Sequence, residues 1–138
     1  ISRFSGANLI FGVFDWSQSP SQLGKRPIPD DFDVLSPEII SFFASMYLPE
    51  MNVENRRDPS ISPTYADLRG LVPAYFCVGS SDHLLDDTLF LANRWRAAGN
   101  SCNIDVFPRA PHAFTMFPSP YVELFSERRD AWFSEILT

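Results

Sequence analysis

Three short apolar runs rich in β-forming residues divide the chain, and each is followed by a polar segment. They are Leu9–Phe14, Ala74–Gly79 and Asn103–Phe107. Apolar runs of this length, bounded by turn residues, are typical of strands buried on both faces, as in a parallel sheet. The pattern therefore predicts three strands.

A helical spacing of apolar residues separates these runs. Ser36-Pro37 supplies an N-cap and a proline at the first helical position before Ile40, Phe43 and Tyr47, which predicts a helix over 37–48. A second helix is expected between the last two strands, with Asp86 and Asp87 in its first turn, Gly99 at its end and an apolar stripe of Leu85, Leu89, Ala92 and Trp95. A third is expected from the spacing of Val122, Phe125, Trp132, Phe133 and Ile136.

The order strand, helix, strand implies a parallel crossover and therefore an α/β fold, with about three parallel strands and flanking helices. Two segments are expected to be irregular because prolines interrupt them: 24–33 and 55–72. A long loop such as 55–72 often has a functional role.

Composition limits the size of the domain and the kinds of partner that the chain is expected to bind. At 138 residues and 45% hydrophobic content, the chain is long enough for one domain with a core. A net charge of −6 without a Lys or Arg cluster disfavours nucleic acid and anionic membrane surfaces. The apolar runs are too short to span a membrane, so we expect a soluble chain, in a compartment that the sequence leaves open. Cys77 and Cys102 are expected to be free thiols, and neither a metal nor a cofactor is predicted.

Candidate chemistry follows the second and third strands. Asp82 lies just after one, and His112 follows the other within Pro111-His112-Ala113-Phe114. Because parallel strands end at the same edge of a sheet and neighbours lie about 4.8 Å apart, the two side chains are expected to meet within hydrogen-bond distance. A carboxylate on one imidazole nitrogen leaves the other free to accept a proton, which makes the pair an oriented general base.

Each of these residues also has a simpler interpretation. Asp82 is a common N-cap residue, and His112 is compatible with an ordinary loop position. Asp86 and Asp87 are better explained by the helix dipole than as ligands, and His83 beside them lacks the spacing of a metal site. Ser81 follows Gly79 as in a nucleophile elbow, but His83 occupies the place of the second glycine, so we interpret Ser81 as a turn residue.

Apolar side chains near these motifs suggest a substrate pocket. Phe43 and Met46 lie on the first predicted helix, where core packing is the competing explanation. Phe114 follows His112 and has two compatible roles, lining a pocket or anchoring its loop. The sequence alone leaves these alternatives open.

No Gly-x-Ser-x-Gly turn and no Gly-Gly pair occur in the chain. Two members of a Ser-His-Asp triad are thus suggested without a nucleophile or an oxyanion loop. We expect the chain to be the C-terminal part of a catalytic domain, inactive in ester hydrolysis alone.

At this level of detail the chain resembles the C-terminal portion of the hormone-sensitive lipase type of α/β-hydrolases, which are carboxylesterases with a cap over the active site. The matching segments are Asp58–Pro63, Leu71–Ala74, Gly79–Asp86, Arg96–Gly99 and Phe107–Phe114, with a further likeness over Leu9–Trp16. Departures are His83, where the family often has proline, and Ala113, where it often has glycine.

The resemblance implies that Asp82 is the triad acid and His112 the base, with a small-molecule ester as the substrate of the complete protein. It also implies that residues 1–138 form the C-terminal part of the domain, and that 24–57 contribute to a cap or pocket. The open edge of the first strand would then be covered by the missing N-terminal half or by a second copy.

Two functions of other classes compete with this one. The first is a hydrolase-like small-molecule receptor, although such receptors usually lose the base that His112 would provide. The second is a self-contained α/β interaction module, whose first strand would leave an apolar edge unpaired.

Overall fold

A computed structural model describes residues 4–24 and 34–138. The predicted irregular segment 24–33 and the beginning of the proposed cap segment 24–57 therefore lie largely outside the described residues. The described elements form a sheet with a helical layer on each face.

Three strands form one parallel sheet, as the sequence pattern predicts. They are β1 (Ala7–Ile10), β2 (Ala74–Gly79) and β3 (Cys102–Phe107), in the spatial order β1-β2-β3. In register, Ala74 of β2 faces Ala7 of β1 on one side and Cys102 of β3 on the other. The carboxyl ends of β2 and β3 therefore lie side by side, and the loops that follow them start as neighbours.

The first strand is shifted from its predicted position at Leu9–Phe14. It begins earlier, at Ala7, and ends at Ile10, because Phe11 takes a left-handed backbone conformation with φ of 33°. The Phe11 N–H still donates to the Cys77 carbonyl at 2.8 Å, after which the chain leaves the sheet. Its four residues are only partly buried, so the expected burial on both faces is wrong for β1.

Both faces of β2 are buried, and the alternation of its side chains builds two cores. Tyr75 and Cys77 point to a cluster that is completed by Phe107, Ala110, Phe114, Phe125 and Trp132. Ala74 and Phe76 point to the opposite cluster, with Leu68, Leu91, Ala92 and Trp95. The period of two in the strand is what allows one strand to serve two helical layers.

In the part of the chain that the structure describes, three α-helices accompany the sheet: α1 (Pro37–Tyr47), α2 (Leu85–Ala97) and α3 (Pro120–Ile136). The predicted termini are confirmed where they have a local cause. Ser36 Oγ accepts the Ile39 N–H at 3.4 Å, and Gly99 adopts a φ of 88° just after α2. Such a conformation is accessible to glycine without strain, which is why glycine follows helices.

The predicted helical faces are only partly correct. On α1 the buried residues are Ile40 and Ala44, whereas Phe43 and Tyr47 are 52% and 61% exposed. On α2 the buried apolar residues are Leu91, Ala92 and Trp95. Two other members of the predicted stripe, Leu85 and Leu89, are half-buried. The apolar period therefore identified these helices and part of their buried faces, including Ile40, Ala92 and Trp95, but not the whole of either face.

The proline-broken segment 55–72 contains two short 3₁₀ turns, Asn55–Arg57 and Pro63–Tyr65. It is held to the chain after β1, since the Thr64 N–H donates to the Phe14 carbonyl at 3.1 Å and Ser62 Oγ accepts the Trp16 N–H at 2.9 Å. Within the described ranges, no helix has the length and apolar character that crossing a membrane requires. Cys77 and Cys102 are free thiols.

Candidate active site

The loops that follow β2 and β3 are joined by three hydrogen bonds near the sheet. Ser80 N–H donates to the Phe107 carbonyl at 2.8 Å, Ser81 N–H to the Ala110 carbonyl at 3.0 Å, and Arg109 N–H to Ser80 Oγ at 2.7 Å. A Cβ on Gly79 would lie 2.0 Å from the Ala110 oxygen, so only glycine permits this approach. The two loops therefore run side by side away from the sheet.

Asp82 and His112 meet where these loops end. His112 Nδ1 lies 2.9 Å from Asp82 Oδ2, and the Asp82 side chain is fully buried while 21% of the His112 side chain is exposed. A carboxylate oxygen only accepts, so Nδ1 carries the hydrogen and Nε2 keeps its lone pair for a proton. The contact expected from the sequence is present.

The two oxygens of Asp82 have different partners, but the predicted N-cap role is wrong, because the cap residue of α2 is Leu84. Oδ2 accepts from His112, while Oδ1 accepts the Leu84 N–H at 2.8 Å just before α2. The local bond holds the carboxylate in place for the long-range one. The side chain thus orients the imidazole and stabilises the turn that precedes α2.

Two residues beside His112 have left-handed backbones although neither is glycine. Phe11 has a φ of 33° and Ala113 a φ of 56°. The Phe11 ring packs edge-on against the imidazole, with centroids 5.0 Å apart. Backbone conformations of this kind are strained for residues other than glycine, and they concentrate where a structure holds functional groups in place. The sequence indicated neither Phe11 nor its contact, because its local pattern is that of a strand.

An apolar cavity of about 300 Å³ adjoins the imidazole. It is lined by Phe11, Val13, Trp16, Leu35, Ile40, Phe43, Leu84 and His112. Among the described residues that line it, His112 is the one titratable side chain, so the cavity can hold an apolar group against a proton acceptor. Four segments far apart in sequence contribute to it, which is why sequence patterns missed most of its residues.

The three predicted pocket residues lie in different surroundings. Phe43 lines the cavity with His112. Met46 is 68% exposed on α1 and does not line it. Phe114 is 2% exposed, packs on Phe107 with ring centroids 4.8 Å apart, and lines a separate cavity of about 570 Å³ together with Ser81 and Pro111. The structure therefore brings only Phe43 to the cavity beside the imidazole.

The other polar residues of the motif after β2 bind the chain itself. His83 Nδ1 donates to the Ser21 carbonyl at 2.9 Å, and Asp86 Oδ2 accepts the Ser21 N–H at 2.8 Å. Asp86 and Asp87 lie in the first turn of α2, as predicted. Over residues 4–24 and 34–138, no three His, Cys, Asp or Glu side chains are grouped to hold a metal ion.

Comparison with known proteins relates this geometry to a family. The profile of a family described as alpha/beta hydrolase fold matches residues 2–116. The carboxylesterase NlhH of Mycobacterium tuberculosis is 26% identical over 116 residues, which cover 81% of this chain and 36% of NlhH. The chain therefore spans about a third of the length of this relative.

Solved structures show the same likeness over a larger part of the chain. A hormone-sensitive lipase from a metagenome library superposes with a TM-score of 0.87 at 26% identity, covering 100% of this chain and 46% of that protein. The HSL homologue EstE7, also from a metagenome library, gives 0.85 at 27% identity, covering 97% of this chain and 45% of EstE7. This chain belongs to the α/β-hydrolase family, and within it to the group similar to hormone-sensitive lipase and its carboxylesterase relatives.

Proposed function

We propose that this chain supplies the acid and the base of a Ser-His-Asp triad in a carboxylic ester hydrolase. The single observation that carries the proposal is the 2.9 Å hydrogen bond between His112 and the buried Asp82, at the wall of an apolar cavity. The serine nucleophile and the oxyanion donors would come from a segment outside residues 1–138. Without them, we expect residues 1–138 to lack triad-dependent esterase activity.

The proton acceptor in the proposed reaction is Nε2 of His112. As a serine oxygen attacks the ester carbonyl, Nε2 takes the serine proton and then returns it to the departing alcohol. Water repeats the sequence on the acyl-enzyme and releases the acid. Asp82 stabilises the imidazolium that forms in each half, and it is held in place by its bond from the Leu84 N–H.

The substrate in this proposal is a small ester with an apolar arm. A cavity of about 300 Å³ is at the lower end of the range for small-molecule sites, and its lining is aliphatic and aromatic apart from His112. Phe43 and Ile40 place α1 at one wall. This supports a contribution of the segment 24–57 to a cap or pocket, within a catalytic domain of which residues 1–138 are the C-terminal part.

A further element of the proposal is the partner of β1. Among the described residues, this strand pairs only with β2, and all four of its residues are half-buried. Unpaired strand edges attract other strands. We propose that a strand from an N-terminal half covers this edge. If residues 1–138 alone sediment as a monomer and unfold cooperatively, the proposal is contradicted. If they form a stable homodimer, a second copy of the chain covers the edge in place of an N-terminal half.

The triad proposal is tested with the longest polypeptide that the gene encodes, beside residues 1–138 alone. Hydrolysis of p-nitrophenyl acetate is measured for both. We expect turnover only in the longer polypeptide, with a loss of about 10⁴ in kcat for Asp82→Asn, since the imidazole loses its tautomer and orientation.

His112→Ala should reduce kcat by at least about 10³ in the same assay. A matched control is Asp67→Asn, which removes a carboxylate on the surface where Asp67 pairs with Arg69. This control should keep full activity. Turnover by the longer polypeptide that survives both triad changes would refute the proposal, as would Asp82-dependent turnover by residues 1–138 alone.

A further inference from the structure

The segment after β1 is tied to α2 by one carboxylate. Asp87 is fully buried, and its oxygens accept hydrogen bonds from four residues of the segment 14–22. The donors are Phe14 N–H at 2.9 Å, Asp15 N–H at 2.8 Å, Ser19 Oγ at 2.6 Å and Gln22 Nε2 at 2.8 Å. One carboxylate thus bonds to both ends of a segment of nine residues.

The two backbone donors have a specific place. Phe14 and Asp15 lie between Val13 and Trp16, and both of these residues line the cavity beside His112. An ångström of movement at the two amides would shift the side chains on either side of them. The Asp87 carboxylate is therefore coupled to the shape of the cavity, although it does not line it.

The helix dipole alone does not account for this arrangement. Asp86 lies in the same first turn, is only half-buried, and accepts one backbone N–H, from Ser21. A solvent-exposed acidic residue would interact with the helix dipole just as favourably. Burial of Asp87 instead disfavours its charge and raises its pKa to about 6, despite the hydrogen bonds from Ser19 and Gln22 that act in the opposite direction. A charge buried at a cost, with four donors aimed at it, indicates a role in holding the segment.

We propose that Asp87 is a positioning residue for the substrate cavity, because it holds the wall formed by Val13 and Trp16 through the amides of Phe14 and Asp15. The inference rests on the proposed function of that cavity. Two buried aspartates that lie five residues apart then have different roles. Asp82 orients the base, and Asp87 positions the cavity wall.

The test is Asp87→Asn, an isosteric change that turns one acceptor oxygen into a donor group facing other donors. Hydrogen exchange by NMR is measured first, because it does not depend on activity. The amides of Phe14 and Asp15 should exchange at least about tenfold faster than in the wild type. The control Asp86→Asn removes the same charge from the same helix turn, and it should affect the amide of Ser21 while leaving those of Phe14 and Asp15 unchanged.

The second readout is kinetic and uses the longest polypeptide that the gene encodes. With p-nitrophenyl butyrate, Asp87→Asn should raise KM by about tenfold and change kcat by less than about threefold, because the wall moves while Asp82 and His112 stay in place. If this variant fails to fold, Ser19→Ala removes the shortest hydrogen bond to Asp87 and should produce the same two changes to a smaller extent.

Unchanged exchange at Phe14 and Asp15 would overturn the inference, and so would a fall in kcat with KM unaltered. Failure of the proposed function is recognised separately. In that case His112→Ala stays active, whatever the behaviour of the Asp87 variant.

Discussion

Replacing Gly79 by alanine probes the contact that holds the two loops of the site together. The added Cβ would lie 2.0 Å from the Ala110 oxygen and 2.6 Å from the Ala110 carbonyl carbon. Ordinary van der Waals contact begins at 3.4 Å, so the backbone at Ala110 has to retreat by about 1.4 Å. Both partners are backbone atoms at the end of the sheet, and no flexible side chain is available to absorb the clash.

Two consequences follow from the structure. Overpacking of this kind costs about 1–3 kcal/mol in the free energy of unfolding. Ala110 lies two residues before His112, so a shift carried along the loop would lengthen the 2.9 Å bond from Nδ1 to Asp82 beyond hydrogen-bond distance. We therefore expect Gly79→Ala both to lower the free energy of unfolding and to break the hydrogen bond between His112 and Asp82.

Urea unfolding measures the first effect, and imidazole nitrogen NMR at His112 measures the second, because the tautomer is set by the bond to Asp82. Gly70→Ala is the matched control. Its φ of 71° makes alanine strained, at about 1 kcal/mol, but no atom lies within 4 Å of the new Cβ. The control should lose stability with the His112 signal unchanged. A Gly79→Ala variant with wild-type stability and an unaltered imidazole signal would refute the argument.

Three further predictions concern ionisation and backbone strain. Since burial raises the pKa of Asp87 from 3.8 to about 6, the folded state binds this proton more tightly, and the contribution to stability is complete below pH 3.8 and lost as the pH rises through 6. The difference in unfolding free energy between wild type and Asp87→Asn should therefore grow by up to about 3 kcal/mol from pH 7 to pH 4, and a constant difference would contradict this. At Ala113, where φ is 56°, valine should cost about 2 kcal/mol or more in urea unfolding while glycine is nearly neutral; equal effects would exclude the left-handed conformation. Burial raises the pKa of the Cys77 thiol to about 12, so a thiol reagent at pH 8 should label Cys102 well before Cys77, and equal labelling rates in the native protein would show that Cys77 is accessible.

Much of the fold was predictable because its causes are local. The strands β2 and β3, the start of α1 and the end of α2 at Gly99 follow from short apolar runs, a Ser-Pro cap and a glycine. The first strand was displaced because its end depends on the backbone of Phe11, which turns out of the sheet to pack on His112. That contact joins residues about a hundred positions apart, and no local pattern encodes it.

The acid and the base of the candidate site were predictable for a related reason. Asp82 and His112 follow neighbouring parallel strands, and the geometry of a parallel sheet brings such loops together whatever their length in sequence. The residues that line the cavity were harder to predict from the sequence. Its lining comes from the segment after β1, from α1 and Leu35 before it, from the loop before α2 and from the loop after β3. The relative placement of these parts depends on how the layers pack.

By itself, the sequence determined the strand and helix pattern, the parallel sheet and the pairing of Asp82 with His112, because each rests on spacing along the chain and on a general rule of sheet geometry. Only the tertiary structure decided that Phe43 lines the cavity while Phe114 lies in the core, and that Asp87 is a buried anchor of the segment after β1 and not merely a helix-dipole acid. Burial and hydrogen-bond partners depend on which distant residues come into contact, and that is determined by packing in three dimensions.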